Sequence, residues 1–243
     1  LALQPLAQPV RFAFGGHAQP VAYARAVADT ALLALVACLG LAIMGHESSP
    51  HPYAMAAAAT LLHAAANAQR DTGLRGWWLL HWGLAVVALM ASGYPSTALC
   101  LGVLPLWPAQ GLRTFLWRAW AWRTVLLSLL LLAALSVAWP HDAASPAPWA
   151  LAHIGGWLKT TAWYAWPAWP LALIALWRWR RQWRSPHMSV PALTSLILVI
   201  IAIGANVPQR HMLLCLPALA VLAAFAVPTM KRHVLALIDW LAL

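Results

Sequence analysis

Long apolar stretches, separated by short polar or proline-rich segments, dominate the pattern along this chain of 243 residues. A helix that crosses the apolar core of a bilayer needs about 20 residues, with roughly 17 as a lower limit, because each residue rises only about 1.5 Å. Eight stretches approach that length. They predict an all-α fold, a polytopic transmembrane helical bundle that forms a single domain over residues 1–243. The predicted spans cover residues 27–45, 52–68, 76–92, 95–112, 124–139, 163–177, 189–206 and 211–228.

Two connections between these stretches shape the predicted topology. Gly93, Tyr94 and Pro95 stand between the third and fourth stretches, and glycine with proline ends a helix and favours a tight reversal. We therefore expect two antiparallel spans that meet at this turn, instead of one long helix. Residues 140–162 are the longest segment between predicted spans, and we expect one sizeable external loop there.

The basic residues divide unevenly between the two sides of this topology. Cytoplasmic loops retain Lys and Arg, so alternate loops of a correct topology differ in their basic residues. One side receives only Lys159 and Arg210. This asymmetry predicts that both ends of the chain are cytoplasmic and that the basic-poor side is external. The other side receives thirteen basic residues: Arg11, Arg25, Arg70, Arg75, Arg113, Arg118, Arg123, Arg178, Arg180, Arg181, Arg184, Lys231 and Arg232.

Composition and net charge limit the possible functions. Hydrophobic residues make up 63% of the chain and charged residues 8%, against roughly a quarter charged in an average soluble domain. So few charges cannot cover a surface that faces water. The net charge of +10 would suit nucleic acid, but the arginines lie between apolar stretches, where they fix orientation in a membrane. We therefore expect membrane lipids with anionic headgroups as partners, and no nucleic acid.

Metal ligands are not arranged in a familiar pattern. His46, Glu47 and His51 follow the spacing H-E-x-x-x-H with Pro50 between them, whereas a zinc protease needs H-E-x-x-H on one helical face. A solvated turn is the first interpretation, and contact of His46 or Glu47 with a polar substrate is the second. The cysteines lie inside apolar stretches without Cys-x-x-Cys spacing, which predicts neither a disulfide nor a zinc site. They are Cys38, Cys100 and Cys215.

Two external cations are candidates for binding a donor phosphate. Lys159 and Arg210 are the only strong bases predicted on the external side, and an enzyme that uses a lipid-phosphate donor needs cations there. The alternative is that Arg210 only caps a short turn and that Lys159 extends to the membrane surface. Inside the predicted spans, His63, Asn67 and His81 need polar partners, either for function or in close helix packing.

Three segments resemble one class of membrane enzymes. Residues 163–173 read W-Y-A-W-P-A-W-P-L-A-L, residues 210–224 carry L-P-A-L near mid-span, and residues 236–240 read A-L-I-D-W. Together they resemble the polytopic glycosyltransferases of the GT-C class. The resemblance is to the bacterial relatives of dolichyl-phosphate-mannose protein mannosyltransferase and of the aminoarabinose transferase that modifies lipid A. In that class a W-P-x-x-P-L-like helix follows the large external loop, and a basic residue, here Arg210, precedes a span that contains proline.

The resemblance implies transfer of a sugar from a polyprenyl-phosphate donor to an acceptor on the external face of a bacterial inner membrane, with no cofactor predicted. It also implies a carboxylate general base, an Asp often followed by Glu, after the first transmembrane helix of the class. No Asp-Glu pair occurs here, and Ser92 stands where a segment of the class has a basic residue. The resemblance therefore implies that the first spans and the catalytic carboxylate precede Leu1, and it assigns no catalytic residue within this sequence.

Two functions of other classes fit the same pattern. A transporter or lipid flippase would show broken helices at mid-membrane and an internal repeat. Pro217 breaks one predicted span, but the sequence shows no internal repeat with a matching break. A non-catalytic membrane scaffold would use its polar residues only to pack helices.

Overall fold

The computed structural model describes residues 20–46, 49–68, 75–102, 152–182, 185–203 and 208–230. These residues form nine α-helices and two short 3-10 helices, and no strand occurs among them, which confirms the all-α fold class for this part of the chain. Within the same residues, the helices are α1 (Pro20–Val36), α2 (Leu39–Met44), α3 (Pro50–Ala68), α4 (Arg75–Ala91), α5 (Pro95–Gly102), α6 (Ala152–Tyr164), α7 (Ala168–Arg178), α8 (Pro186–Ile203) and α9 (Pro208–Ala226).

Among the described residues, one helix is long and apolar enough to cross a membrane. It covers the 20 residues Arg210–Thr229, which join α9 to the 3-10 turn Val227–Thr229, and its most apolar 18-residue window has a mean hydropathy of 2.2. Three shorter apolar helices cover Leu80–Ala91, Ala168–Arg178 and His187–Ala202. The structure thus shows a helical protein with one candidate membrane-spanning helix, and the eight-span topology stays a prediction.

Helix α9 is the centre of the described bundle. It packs against α1, α3, α7 and α8, and every residue from Met212 to Ala220 is buried. A helix that is apolar on all sides has no face for water, so it is stable only when other helices or lipid surround it. Burial of α9 therefore holds the four surrounding helices together.

The first predicted span, 27–45, is two helices in the structure. Helix α1 ends at Val36, Cys38 is extended, and α2 then follows. The Leu39 backbone N–H donates to the Trp166 carbonyl at 3.3 Å, which ties the start of α2 to the turn between α6 and α7. Gly40 allows this approach, because a Cβ there would collide with the Tyr164 ring and lie 2.9 Å from the Tyr164 carbonyl oxygen.

The predicted external loop, 140–162, and the predicted span 163–177 also differ from the structure. Helix α6 takes residues 152–162 from the loop and ends at Tyr164, and α7 begins only at Ala168. Proline explains the break, because Pro167 cannot continue α6 while Pro170 is tolerated in the first turn of α7. Hydropathy detects apolar residues, not helices, so it missed a helix that carries Lys159. Residues 124–139, another predicted span, lie outside the described residues.

Candidate functional site

Four side chains from three chain segments meet at one end of the bundle, which we call the tyrosine pole: His51, Tyr94, Arg210 and His211. The Tyr94 hydroxyl lies 2.6 Å from Nδ1 of His51, 43 residues away in sequence. The rings of Tyr94 and His211 meet edge to face, with centroids 5.2 Å apart and an angle of 78° between their planes. Arg210 is close enough for its charge to act on the Tyr94 hydroxyl.

The end of α4 fixes the position of Tyr94. Its backbone N–H donates to the Leu89 carbonyl and the Gly93 N–H donates to the Met90 carbonyl, both at 3.0 Å. These are the two hydrogen bonds of a Schellman cap, in which the residue after the cap takes a left-handed conformation. Gly93 takes it, with a φ of 87°. The predicted turn at Gly93 to Pro95 is therefore present between α4 and α5, and the cap aims Tyr94 into the bundle, where it is 4% exposed.

Three helix N-termini converge on this pole, and each of the three helices begins with a proline. Pro50 starts α3, Pro95 starts α5 and Pro208 starts α9. Proline suits the first helical position because its fixed φ matches the helix and its missing N–H costs no intrahelical bond. The first N–H groups of a helix lack partners and point outwards, and the helix dipole makes that end positive. Together with Arg210, the three N-termini give this pole positive charge, although Pro50, Pro52, Pro95 and Pro208 supply no N–H of their own.

The protonation state of Tyr94 follows from its burial. Burial raises the pKa of the Tyr94 hydroxyl to about 12, and the nearby positive charge of Arg210 acts in the opposite direction. The phenol therefore keeps its proton at neutral pH, and its hydroxyl is hydrogen-bonded to Nδ1 of His51. At physiological pH the pole therefore has a charged donor, the Arg210 guanidinium, and a neutral donor, the Tyr94 hydroxyl.

The structure separates the residues predicted to bind substrate. Arg210 is exposed and belongs to the tyrosine pole. Lys159 is exposed on α6, and none of the contacts that define the pole involves it. His46 is exposed at the end of α2, where its Nδ1 lies 3.1 Å from the carbonyl oxygen of Ala42, one helical turn earlier. Glu47 lies outside the described residues.

Sequence reasoning missed Tyr94 and His211 and read His51 only as part of a metal pattern. A signal for all three was present, because each stands within three residues after a proline or directly before one, at a predicted turn or span start on the basic-poor side. Hydropathy treats such residues as ordinary interface residues. It cannot tell which span ends meet in space.

The opposite end of the bundle, which we call the arginine pole, consists of Trp179, His187 and Phe225 with exposed arginines around them. The Trp179 indole N–H donates to the Phe225 carbonyl at 3.3 Å. The His187 ring contacts the Trp179 and Phe225 rings, with centroids 6.0 and 5.6 Å away. Arg180 stacks its guanidinium 4.9 Å above the Trp177 ring. The exposed arginines are Arg178, Arg180 and Arg181.

Acidic residues are scarce in the described ranges. Asp29 on α1 is the one carboxylate side chain there. No group of three or more His, Cys, Asp or Glu residues that could hold a metal ion occurs within those ranges. The cysteines are free thiols, and the buried Cys215 donates weakly to the Ser195 carbonyl at 3.7 Å. Imidazoles, a phenol and a guanidinium are therefore the reactive groups of the tyrosine pole.

Comparisons of this chain with protein-family models, with curated proteins and with solved structures found no match. The chemistry of the two poles is therefore the basis for proposing a function.

Proposed function

We propose that this chain belongs to a multi-span membrane transferase that moves a sugar from a polyprenyl-phosphate donor to an acceptor at the tyrosine pole. One observation carries the proposal: three helix N-termini and Arg210 converge around Tyr94 and His51. Such a region suits the phosphate of a lipid-linked donor, because N-terminal N–H groups and a guanidinium both bind phosphate oxygens. The resemblance of residues 163–173 and 210–224 to GT-C glycosyltransferases points to the same donor class.

In the proposed reaction, the acceptor oxygen forms a bond to C1 of the sugar while the bond from C1 to the phosphate oxygen breaks. The electron pair of the broken bond stays on the phosphate, which gains negative charge. Arg210 and the helix N-termini would stabilise that charge. The acceptor loses a proton to a general base, which the resemblance to GT-C enzymes makes a carboxylate.

The placement of charge supports a membrane orientation for this reaction. Phe225 of the arginine pole follows His211 of the tyrosine pole by fourteen residues of α9, so the two poles lie about 21 Å apart along that helix. Arg178, Arg180 and Arg181 surround one pole and Arg210 belongs to the other. This distribution favours a cytoplasmic arginine pole and an external tyrosine pole, in a bacterial inner membrane.

Charge removal at Arg210 tests the proposal. We expect Arg210→Gln to lower transfer of a labelled sugar from polyprenyl phosphate by about 100-fold, the usual loss when one donor to a developing oxyanion is removed. Membrane abundance should change little, because Arg210 is exposed. The measurements are product formation in membranes that contain the protein, and immunoblotting of the same membranes.

Arg181→Gln is the matched control, since Arg181 is also exposed but lies at the arginine pole. It should leave transfer within about twofold of the unchanged protein. Equal losses of transfer and abundance in Arg210→Gln, or equal transfer in both variants, would contradict the proposal. Movement of the lipid-linked sugar across the membrane without transfer to an acceptor would favour a transporter instead.

A further inference from the structure

A cavity of about 270 Å³ lies between α1, α3, α8 and α9. Leu32 of α1 and His63 of α3 line it, and both are exposed. The cavity therefore opens on the side of the bundle, where a membrane protein meets lipid tails. Pro191 of α8 and Pro217 of α9 form part of its inner wall.

Its lining is apolar except for two imidazoles, those of His63 and His187. Alanine, leucine, valine and proline supply the rest of the wall. An empty apolar cavity loses the dispersion contacts that a hydrocarbon chain would supply, and a few polar groups at one side of such a pocket usually orient a ligand. The shape and the lining suit an amphipathic molecule with one hydrocarbon chain.

The His63 ring is held in place at the rim of this cavity. The Asn67 side-chain amide lies 3.2 Å from His63 Nε2 and donates to the His63 carbonyl at 2.9 Å. The Trp78 ring meets the His63 ring edge to face, with centroids 5.3 Å apart. The indole N–H of Trp78 is buried and has no hydrogen-bond partner within the described residues. Trp78 does not line the cavity itself, so its role there is to hold the His63 ring at the rim.

The second imidazole connects the cavity to a basic surface. His187 belongs to the arginine pole through its ring contacts with Trp179 and Phe225. Exposed arginines of that pole, among them Arg180, follow Trp179 directly in sequence. Anionic headgroups concentrate beside such residues, with a gain of about 1 kcal/mol for each basic residue near the membrane surface.

From these observations we infer that the cavity binds an anionic phospholipid, with one acyl chain against Leu32 and Pro217 and the acceptor oxygens of the lipid near His63. The headgroup lies on the side of the arginine pole. This site is separate from the tyrosine pole and does not depend on the proposed transfer reaction.

Photo-crosslinking tests the inference with the full chain in phosphatidylethanolamine nanodiscs. The probe is phosphatidylglycerol with a diazirine in one acyl chain, and peptide mass spectrometry locates the adducts. We expect adducts on α1, α3 and α9 at the cavity, and competition by unlabelled phosphatidylglycerol. Adducts spread evenly over the outer surface of the bundle would overturn the inference. So would adducts at the cavity that polyprenyl phosphate removes and phosphatidylglycerol does not, because the cavity would then hold the tail of a donor.

Two alanines of α3 provide a matched pair of variants. Ala59 lines the cavity, whereas Ala56 is exposed one turn earlier on the same helix and does not line it. We expect Ala59→Phe to lower adduct formation at the cavity roughly tenfold, since the added ring displaces about two methylenes of the chain. Ala56→Phe should leave it unchanged. Equal labelling of the two variants would refute the assignment.

A second variant guards against a folding defect in Ala59→Phe. Ala66→Leu adds less volume at another position of the cavity wall. Should Ala59→Phe lower membrane abundance, the comparison is made between Ala66→Leu and Ala56→Leu. A fall in labelling only for the cavity variant supports the site, and equal labelling overturns it.

Discussion

The two poles of the bundle use the same kinds of side chain in different ways. Each has a histidine beside an aromatic residue, and each has one hydrogen bond between residues more than forty positions apart. At the tyrosine pole this bond joins two side chains, Tyr94 and His51, at 2.6 Å. At the arginine pole it joins the Trp179 indole to the Phe225 backbone at 3.3 Å. Three helices begin around the first bond, whereas α7 and α9 end near the second and, among the described α-helices, only α8 begins there.

This difference separates a polar site from a packed aromatic cluster. A hydrogen bond between two titratable side chains depends on the protonation of both. A side chain that bonds a backbone carbonyl mainly closes a helix end. We therefore expect substitutions at the tyrosine pole to affect both transfer and stability, and substitutions in the aromatic cluster of the arginine pole to affect stability without changing transfer.

The largest effect should come from the glycine that aims Tyr94. Gly93→Ala places a Cβ at a φ of 87°, which costs about 1–2 kcal/mol for a residue in the left-handed region. Gly83→Ala, in the interior of the same helix, has open space around the new Cβ and should raise the free energy of unfolding by about 0.5–1 kcal/mol. Thermal unfolding in detergent micelles measures both. A destabilisation by Gly83→Ala as large as that by Gly93→Ala would contradict the role of the cap.

A smaller effect should follow from removing the Tyr94 hydroxyl. Tyr94→Phe removes the hydrogen bond between the Tyr94 hydroxyl and Nδ1 of His51 and should cost about 1 kcal/mol of unfolding free energy. Tyr53→Phe is the control, because Tyr53 lies on the same helix as His51 and is 75% exposed. A loss of less than about 0.5 kcal/mol in Tyr94→Phe would show that the 2.6 Å contact contributes little.

The Tyr94→Phe variant also has an expected pH dependence. Burial raises the pKa of Tyr94 to about 12, so the folded protein keeps a proton that the unfolded chain releases near an ordinary value of 10. The stability linked to this proton is complete below pH ~10 and is lost as the pH rises through ~12. The unfolding free energies of the unchanged protein and of Tyr94→Phe should therefore run parallel near neutral pH. They should converge above pH ~10, and parallel curves up to pH ~12 would contradict this assignment.

The smallest effect is expected at the arginine pole. Trp179→Phe keeps an aromatic ring against His187 and removes the donor to Phe225, whose bond of 3.3 Å is long. We expect a cost of about 0.5–1 kcal/mol and no change in transfer. Loss of transfer with unchanged abundance would show that the two poles are coupled. It would contradict the separation of a polar site from a packed aromatic cluster.

The sequence predicted the helices best where an apolar stretch is bounded by glycine or proline. The stretches 52–68 and 76–92 correspond closely to α3 and α4, and the turn at Gly93 lies where glycine and proline place it. The break at Cys38 could not be predicted, because it depends on a contact between Leu39 and Trp166 that lie far apart in sequence. Periodicity and hydropathy describe one segment at a time, and this contact joins two.

The candidate site was predicted only in part for the same reason. Arg210 could be selected because cations are rare on the basic-poor side. Tyr94 and His211 could not, because nothing in their local sequence shows that their rings meet. The site forms because the first residues of α3, α5 and α9 lie close together. This arrangement depends on how the three helices pack, and the local sequence of no single helix shows it.

The central position of α9 has a consequence for biosynthesis. Chains are made and inserted from the N-terminus, and α9 is the last of the described helices to emerge from the ribosome. Helix α9 covers one face each of α1, α3, α7 and α8. These faces stay uncovered by α9 until about residue 226 has been added. Assembly of the bundle is therefore a late event, and nascent chains that stall before residue 208 should be substrates for chaperones and proteases.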